Sequence, residues 1–230
     1  MFSSLLGLNF RRKRLYANAP AGPLQDFYAV PFPAGGSDCR KLGFVALDLE
    51  TTGLDPRNDE ILSIGWVCIN DMQIDLVTAR HRLVCPHCEI PERSAVIHHI
   101  TDDQAAEGEP LAAVLNELLP LLAGKVLIAH HARFEMQFLR RACLALFGMN
   151  FVMPVVDTQA IARRTLERRN QAFRPQELRL AALRRRHQLP RYRLHNALSD
   201  ALAAAELFLA QLAQSDTDRP VPLNKFLLKV

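Results

Sequence analysis

No apolar run in this chain reaches the roughly 18 residues that a membrane-spanning helix requires. Cysteine is scarce as well: Cys39, Cys68, Cys85, Cys88 and Cys143 are odd in number and scattered over 230 residues. Such a set excludes a disulfide framework and fits a reducing, cytoplasmic setting. Internal repeats and low-complexity tracts are missing too. At the N-terminus, Arg11-Arg12-Lys13-Arg14 follow the first apolar stretch instead of preceding it. That is the reverse of a secretory signal, and export is not expected.

The remainder is ordinary for a globular chain, with 49% hydrophobic and 23% charged residues. The length suits one well-filled domain with extensions. The net charge of +4 conceals an asymmetry. Between Arg163 and Arg193 stand eleven arginines against two acids, Glu167 and Glu177, on a chain otherwise slightly acidic. A charge run of this kind is often only the solvated face of helices. Arginine's planar fork matches phosphate oxygens, however, so a polyanionic partner is expected there, with Arg184 and Arg185 as contacts.

Residues 1 to 40, with four prolines and no sustained periodicity, predict an irregular extension. Gly43 to Glu50 is a short apolar run ending in acids, the pattern of a buried strand. Two further strands are expected over Glu60–Ile69 and Ile74–Val84, joined by a turn at Asn70-Asp71. The period then changes. Helices are predicted over 111–119 (closed by Gly124), 134–147, 158–169, 176–188 and 197–214, with strands at 126–129 and 151–156. Three strands in meander followed by alternating strands and helices imply an α/β domain with a mixed sheet over 41–214, then a tail over 215–230.

Asp48 and Glu50 are two apart on a strand, so both carboxylates leave the same face. Crowded there, they repel and lose hydration, and a divalent cation relieves both costs. Taken alone, the pair reads rather as a solvated strand end than as a metal site. His130 with Glu135, and His195 with Asp200, form two more acid-bearing junctions beside apolar elements. Three such junctions in one α/β domain point to a common site. Cys85-Pro-His-Cys88 with His98 and His99 offers zinc-ligand residue types, but lacks a second Cys-x-x-Cys pair and reads as a proline-containing loop.

Asp48-Leu-Glu50-Thr-Thr-Gly-Leu resembles the first motif of the DEDDh 3′–5′ exonucleases, a family that includes the proofreading epsilon subunit of DNA polymerase III and ribonuclease T. The stretch His130 to Leu139 is similar to the second motif, and His195 to Asp200 to the third. Ile97 to Thr101 and Val155 to Thr158 are softer matches, and the order holds from Gly43 to Ala213. The resemblance implies a ribonuclease H-like fold, a five-stranded mixed sheet flanked by helices. It implies that Asp48, Glu50, Glu135 and Asp200 hold two Mg²⁺ or Mn²⁺ ions, and that His195 is the general base. Thr51, Thr52, Gly53, Leu54 and His98 would hold the terminal nucleotide, with His130 and Asp157 as supporting residues near the substrate. The implied substrate is a single-stranded or frayed nucleic-acid 3′ end, DNA ahead of RNA. The implied partner is a DNA polymerase or another replication or repair protein, docked through residues 1–40 or Phe226–Val230.

Three positions depart from that pattern. Glu135 stands where aspartate is usual, His131 where asparagine is usual, and His99 where glycine is usual. Glutamate keeps the charge but reaches one methylene further. The competing expectation is therefore a nucleic-acid-binding or assembly module that kept the fold and lost turnover.

Overall fold

A computed structural model describes residues 3–192, 195–215 and 219–228. In chain order the elements are α1 (Ser3–Asn18), α2 (Pro23–Ala29), β1 (Phe44–Thr51), β2 (Ile61–Asn70), β3 (Gln73–Leu83), α3 (Glu92–His98), α4 (Asp102–Ala106) and α5 (Leu111–Leu122). There follow β4 (Val126–Ala129), α6 (Arg133–Phe147), β5 (Val155–Asp157), α7 (Thr158–Arg168), α8 (Leu180–Arg186) and α9 (Ala197–Ala213). Among the described residues, no helix is long and apolar enough to cross a membrane.

The strands form one five-stranded mixed sheet in the order β3-β2-β1-β4-β5. The β1–β2 and β2–β3 pairs are antiparallel, while β4 and β5 run parallel to β1. The alternation of β1 sorts its residues into two cores. Val45, Leu47 and Leu49 join the cluster under α2, α5 and α6, whereas Phe44 and Ala46 pack with Phe208, Ala204 and Ala205 of α9. Asp48 and Glu50 continue the second row. The α9 side of the sheet therefore ends in acids where the apolar row stops.

The N-terminal segment differs from the irregular extension expected. Leu24, Phe27 and Tyr28 of α2 are buried in the main core. The Tyr28 hydroxyl donates to the Asn150 carbonyl at 2.7 Å and accepts from the Val152 amide at 3.0 Å. Asn9 of α1 brackets Phe32, donating to its carbonyl and accepting from its amide. Prolines at 20, 23, 31 and 33 delimit these short helices; they do not abolish them.

Three other expectations shift. The segment predicted as a helix over 176–188 divides into a single tight turn, Pro175–Leu178, and the short helix α8. The strand expected over 151–156 is ordered as strand only from Val155, and Phe151 to Met153 are buried outside it. The tail is not a free docking segment between 219 and 228. Phe226 packs edge-on to Phe208, Leu227 bridges Val156, and Arg164 donates to the carbonyls of Phe226 and Leu227 at 3.0 and 2.9 Å. Covering the β5 edge removes unpaired backbone groups from solvent. Residues 229 and 230 of the expected docking segment lie outside the described residues.

Candidate active site

The parallel strands β1, β4 and β5 all end on one side of the sheet, where ligands of open α/β sheets bind. The end of β1 carries Asp48 and Glu50, His130 follows β4, and Asp157 closes β5. Helix α9 adds Asp200 from its first turn, and α6 adds Glu135 from its own. Asp48, Glu50, Glu135, Asp200, His130 and His195 line a single open cleft of about 880 Å³.

Within it, Asp48, Glu50 and Asp200 bring one carboxylate oxygen each within 4.8 Å of the others. Their electrostatics are unfavourable for three anions. Asp48 is pushed well above the usual carboxylate range by burial, then by the charges of Glu135, Asp200 and Glu50. Glu50 rises to about 7 through burial and the nearby Asp200 charge. Asp200 is raised by burial, opposed by the backbone amide of His195. Buried Glu135 is raised as well, by burial first and then by the Asp157 charge, against the opposing effect of a backbone amide. Glu135 Oε2 and Asp200 Oδ1 are buried with no hydrogen-bond partner. Converging, desolvated and unpartnered carboxylate oxygens are the donor set of a hard divalent cation. The residues present therefore fit a divalent metal.

His195 is exposed at the cleft and lies in the left-handed region (φ 64). Its backbone amide donates to Asp200 Oδ2 at 2.8 Å, which ties the main chain at His195 to the acid cluster. Asn196 caps α9 by accepting from the Ser199 amide at 3.1 Å. His130 is half-buried, its Nδ1 2.8 Å from Thr158 Oγ1, and desolvation depresses it to about 4. Its Nε2 has no protein partner. Asp157 caps α7 through the amides of Gln159 and Ala160 and also accepts from the His131 amide at 3.2 Å.

The turn after β1 is organised from within. Thr51 Oγ1 donates to the Gly53 carbonyl, and Thr52 Oγ1 accepts from the Glu60 amide at 2.9 Å. A Cβ on Gly53 would stand 2.4 Å from Asp59 Oδ2, which is held by the Asp55 amide. Both threonine hydroxyls are thus occupied in the turn, and Leu54 is the turn residue that lines the cleft, 83% exposed. His98 is buried outside the cleft lining, its Nδ1 accepting from the Ile100 amide at 3.1 Å and its Nε2 unpartnered. Burial depresses it first, then the charges of His99 and the neighbouring His195.

The arginine run divides. Arg185 lines the cleft, as does Arg179, which the sequence did not distinguish from its neighbours. Arg184 is a correction: it is buried, paired with Glu206 at 2.6 Å, bonded to the carbonyls of Ala203 and Pro190, and stacked 4.5 Å from the Tyr192 ring. It holds α8 to α9 and does not face a substrate. Arg193 lies outside the described residues. His131, singled out in the sequence only as a departure from the motif, also lines the cleft, as do Gln159, Gln176 and Phe134, which carry no distinguishing signal in the sequence. Cys88 is exposed and Cys85 half-buried; among the described residues the only group able to hold a metal is the carboxylate one.

Comparison with known proteins agrees with this geometry. The chain is 38% identical over 166 residues to the PolC-type DNA polymerase III of Thermotoga petrophila, covering 72% of this chain and 12% of that one. It is 30% identical over 172 residues to the DNA polymerase III subunit epsilon of Treponema pallidum, covering 75% and 77%. In fold it resembles the nuclease domain of 3′hExo, a DEDDh family member solved bound to rAMP, with a TM-score of 0.66, 14% identity, and coverage of 84% of this chain and 99% of that one. The chain thus spans only about an eighth of the PolC-type relative but most of the epsilon subunit. A family model described as exonuclease matches residues 45–208, from the strand that carries Asp48 to the helix that carries Asp200, and the chain belongs to that exonuclease family.

Proposed function

We propose that the chain is a metal-dependent 3′–5′ exonuclease that releases nucleoside monophosphates from single-stranded or frayed 3′ ends, with DNA as the preferred substrate and RNA as the second. The observation that carries this reading is the convergence of Asp48, Glu50 and Asp200 within 4.8 Å, with His195 tethered to Asp200.

Asp48, Glu50, Glu135 and Asp200 would hold two Mg²⁺ or Mn²⁺ ions. Bound there, such ions neutralise the scissile phosphate and stabilise both the entering and the leaving oxygen of an in-line displacement. The protein supplies the rest. His195, at the open edge of the cleft, accepts the proton of the attacking water at an imidazole nitrogen. Leu54 offers an apolar surface to the terminal base or sugar, and Arg179 and Arg185 face the anionic backbone across the cleft. Glu135 sits at the first turn of α6, close enough for its charge to raise Asp48, which supports it as a ligand in place of aspartate.

The names of the relatives support a replicative or repair polymerase as the partner. Five free cysteines, three of them buried, suit the cytoplasm.

The test is a time course on 5′-labelled single-stranded DNA and its RNA counterpart with Mg²⁺, Mn²⁺ or EDTA. A metal-dependent ladder shortening from the 3′ end, absent in Asp48→Ala, is expected. Intact substrate in every lane overturns the reading and favours a binding module.

A further inference from the structure

A second cavity of about 530 Å³ adjoins the catalytic cleft. It is lined by Leu54, Asp55 and Arg57 from the turn after β1, and by Arg140 and Arg141 from α6. Leu54 lines both cavities, so the two meet at this exposed side chain.

Its charge is strongly one-sided. Among the described residues, Arg57, Arg140 and Arg141 make no ion pair. The one acid, Asp55, accepts from the Arg57 amide at 3.1 Å and from Asn58 Nδ2 at 2.9 Å, and so belongs to the turn. Arg140 is half-buried and fixed by an Nε bond to the Phe151 carbonyl at 3.3 Å. Burial, then the charge of Arg11, holds it below the usual guanidinium range. A solvated charge face would be convex and freely hydrated. This one is an open depression in which Arg57 and Arg141 are exposed while the Arg140 guanidinium is already partly desolvated, and an anion relieves that cost.

The adjoining cleft supplies the class of anion, and helix spacing limits which part of a strand reaches the groove. Arg140 and Arg141 follow Glu135 by five and six residues on one helix, roughly 8–9 Å along its axis. At about 100° per residue they are also turned roughly 120–140° from Glu135, so this axial rise is a lower bound, at least about two to three nucleotides at roughly 3.4 Å of rise each. We propose that this groove is the track for the strand upstream of the 3′ end, with Arg57, Arg140 and Arg141 contacting its phosphodiesters at least two to three nucleotides from the scissile bond. The proposal rests on the exonuclease reading of the adjoining cleft. It places the upstream contacts on the Leu54 side of that cleft, away from the arginine-rich 163–193 segment.

The experiment compares the full chain with Arg57→Gln/Arg141→Gln and Arg57→Lys/Arg141→Lys. Binding of fluorescein-labelled oligo-dT and oligo-U, two and ten nucleotides long, is measured in EDTA across a salt series. Hydrolysis of the p-nitrophenyl ester of thymidine 5′-monophosphate, which has no upstream phosphodiester, is measured in Mn²⁺. The glutamine pair is expected to weaken both decamers about tenfold, leave the dinucleotides and the ester unaffected, and lower the salt slope by about 1.4, at roughly 0.7 per phosphate contact. The lysine pair is expected to keep the slope. Unchanged decamer binding and slope overturn the proposal, as does an equal loss for dinucleotide and decamer. Loss confined to oligo-dT or to oligo-U overturns the phosphate assignment in favour of sugar or base contact. Failure of the unmodified chain to cleave the ester would count against the exonuclease reading alone, since the decamer slopes still decide the groove.

Discussion

Gly65 of β2 lies opposite Asp48 of β1 and directly beneath the start of α9, where a Cβ would stand 2.1 Å from the carbonyl carbon of Ala197. The absent side chain lets α9 settle on the sheet and brings Asp200 to Asp48. Gly65→Ala is expected to destabilise the chain by about 1–3 kcal/mol through overpacking. It should also reduce metal-dependent nuclease activity by about a hundredfold, since misplacing catalytic groups by about 1 Å has that effect. Thermal denaturation and a single-turnover assay check both parts, and full activity would show that α9 is not positioned by this contact.

Burial first, and then the surrounding carboxylates, raise Asp48. Removing its charge relieves repulsion in the metal-free protein, so Asp48→Asn is expected to raise Tm in EDTA by about 2–4 °C, equivalent to about 1 kcal/mol. Activity should be lost. Adding Mg²⁺ or Mn²⁺ should raise the Tm of the unmodified chain by binding linkage and leave the variant unmoved. Calorimetric scans with and without metal decide this; equal metal responses would remove Asp48 from the ligand set.

His130 gives a pH dependence with a definite sign. Its folded value of about 4 lies below its ordinary 6.5. The unfolded chain therefore binds the extra proton first as pH falls, and the stability conferred by neutral His130 is present above 6.5 and lost progressively toward 4. The effect is on the order of 3 kcal/mol. Glu50, raised to about 7, acts in the opposite sense in the same range, so comparison with His130→Gln isolates the histidine. Urea denaturation in EDTA from pH 4 to 8 should show the difference in stability between the two proteins narrowing as pH falls.

Arg184 is expected to behave as a structural residue. Its side chain is 4% exposed against Glu206, and removing one partner of a buried pair is strongly destabilising, about 3 kcal/mol here. Arg184→Gln should lower Tm while leaving the salt slope of oligonucleotide binding at low temperature unchanged. Arg185→Gln should do the reverse.

The departures His99 and His131 both occupy left-handed backbone, at φ 58 and 73. Glycine and asparagine, the usual residues there in the resembling family, adopt that region at least cost. His99→Gly and His131→Asn should each stabilise by about 0.5–1 kcal/mol in denaturant titrations. No gain at either would mean that the imidazole makes a compensating contact.

The sequence alone determined the alternation of β1, and with it the common face of Asp48 and Glu50. It also determined the mixed sheet and the three acid-bearing junctions that carry the family resemblance. These are local properties, set by period-two and period-3.6 patterning and by acids placed where apolar runs stop. Tertiary structure decided the rest. Eleven similar arginines gave no sign that Arg184 would be buried against Glu206 while Arg179 and Arg185 face the cleft, because burial depends on which helix face meets α9. Residues 1–40 looked irregular because helices delimited by prolines and stabilised by Phe27, Tyr28 and Phe32 in a distant core have little local periodicity to read. The grouping of Arg57 with Arg140 and Arg141 depends on a turn and a helix separated by more than eighty residues, and only the packing of α6 beside β1 brings them together.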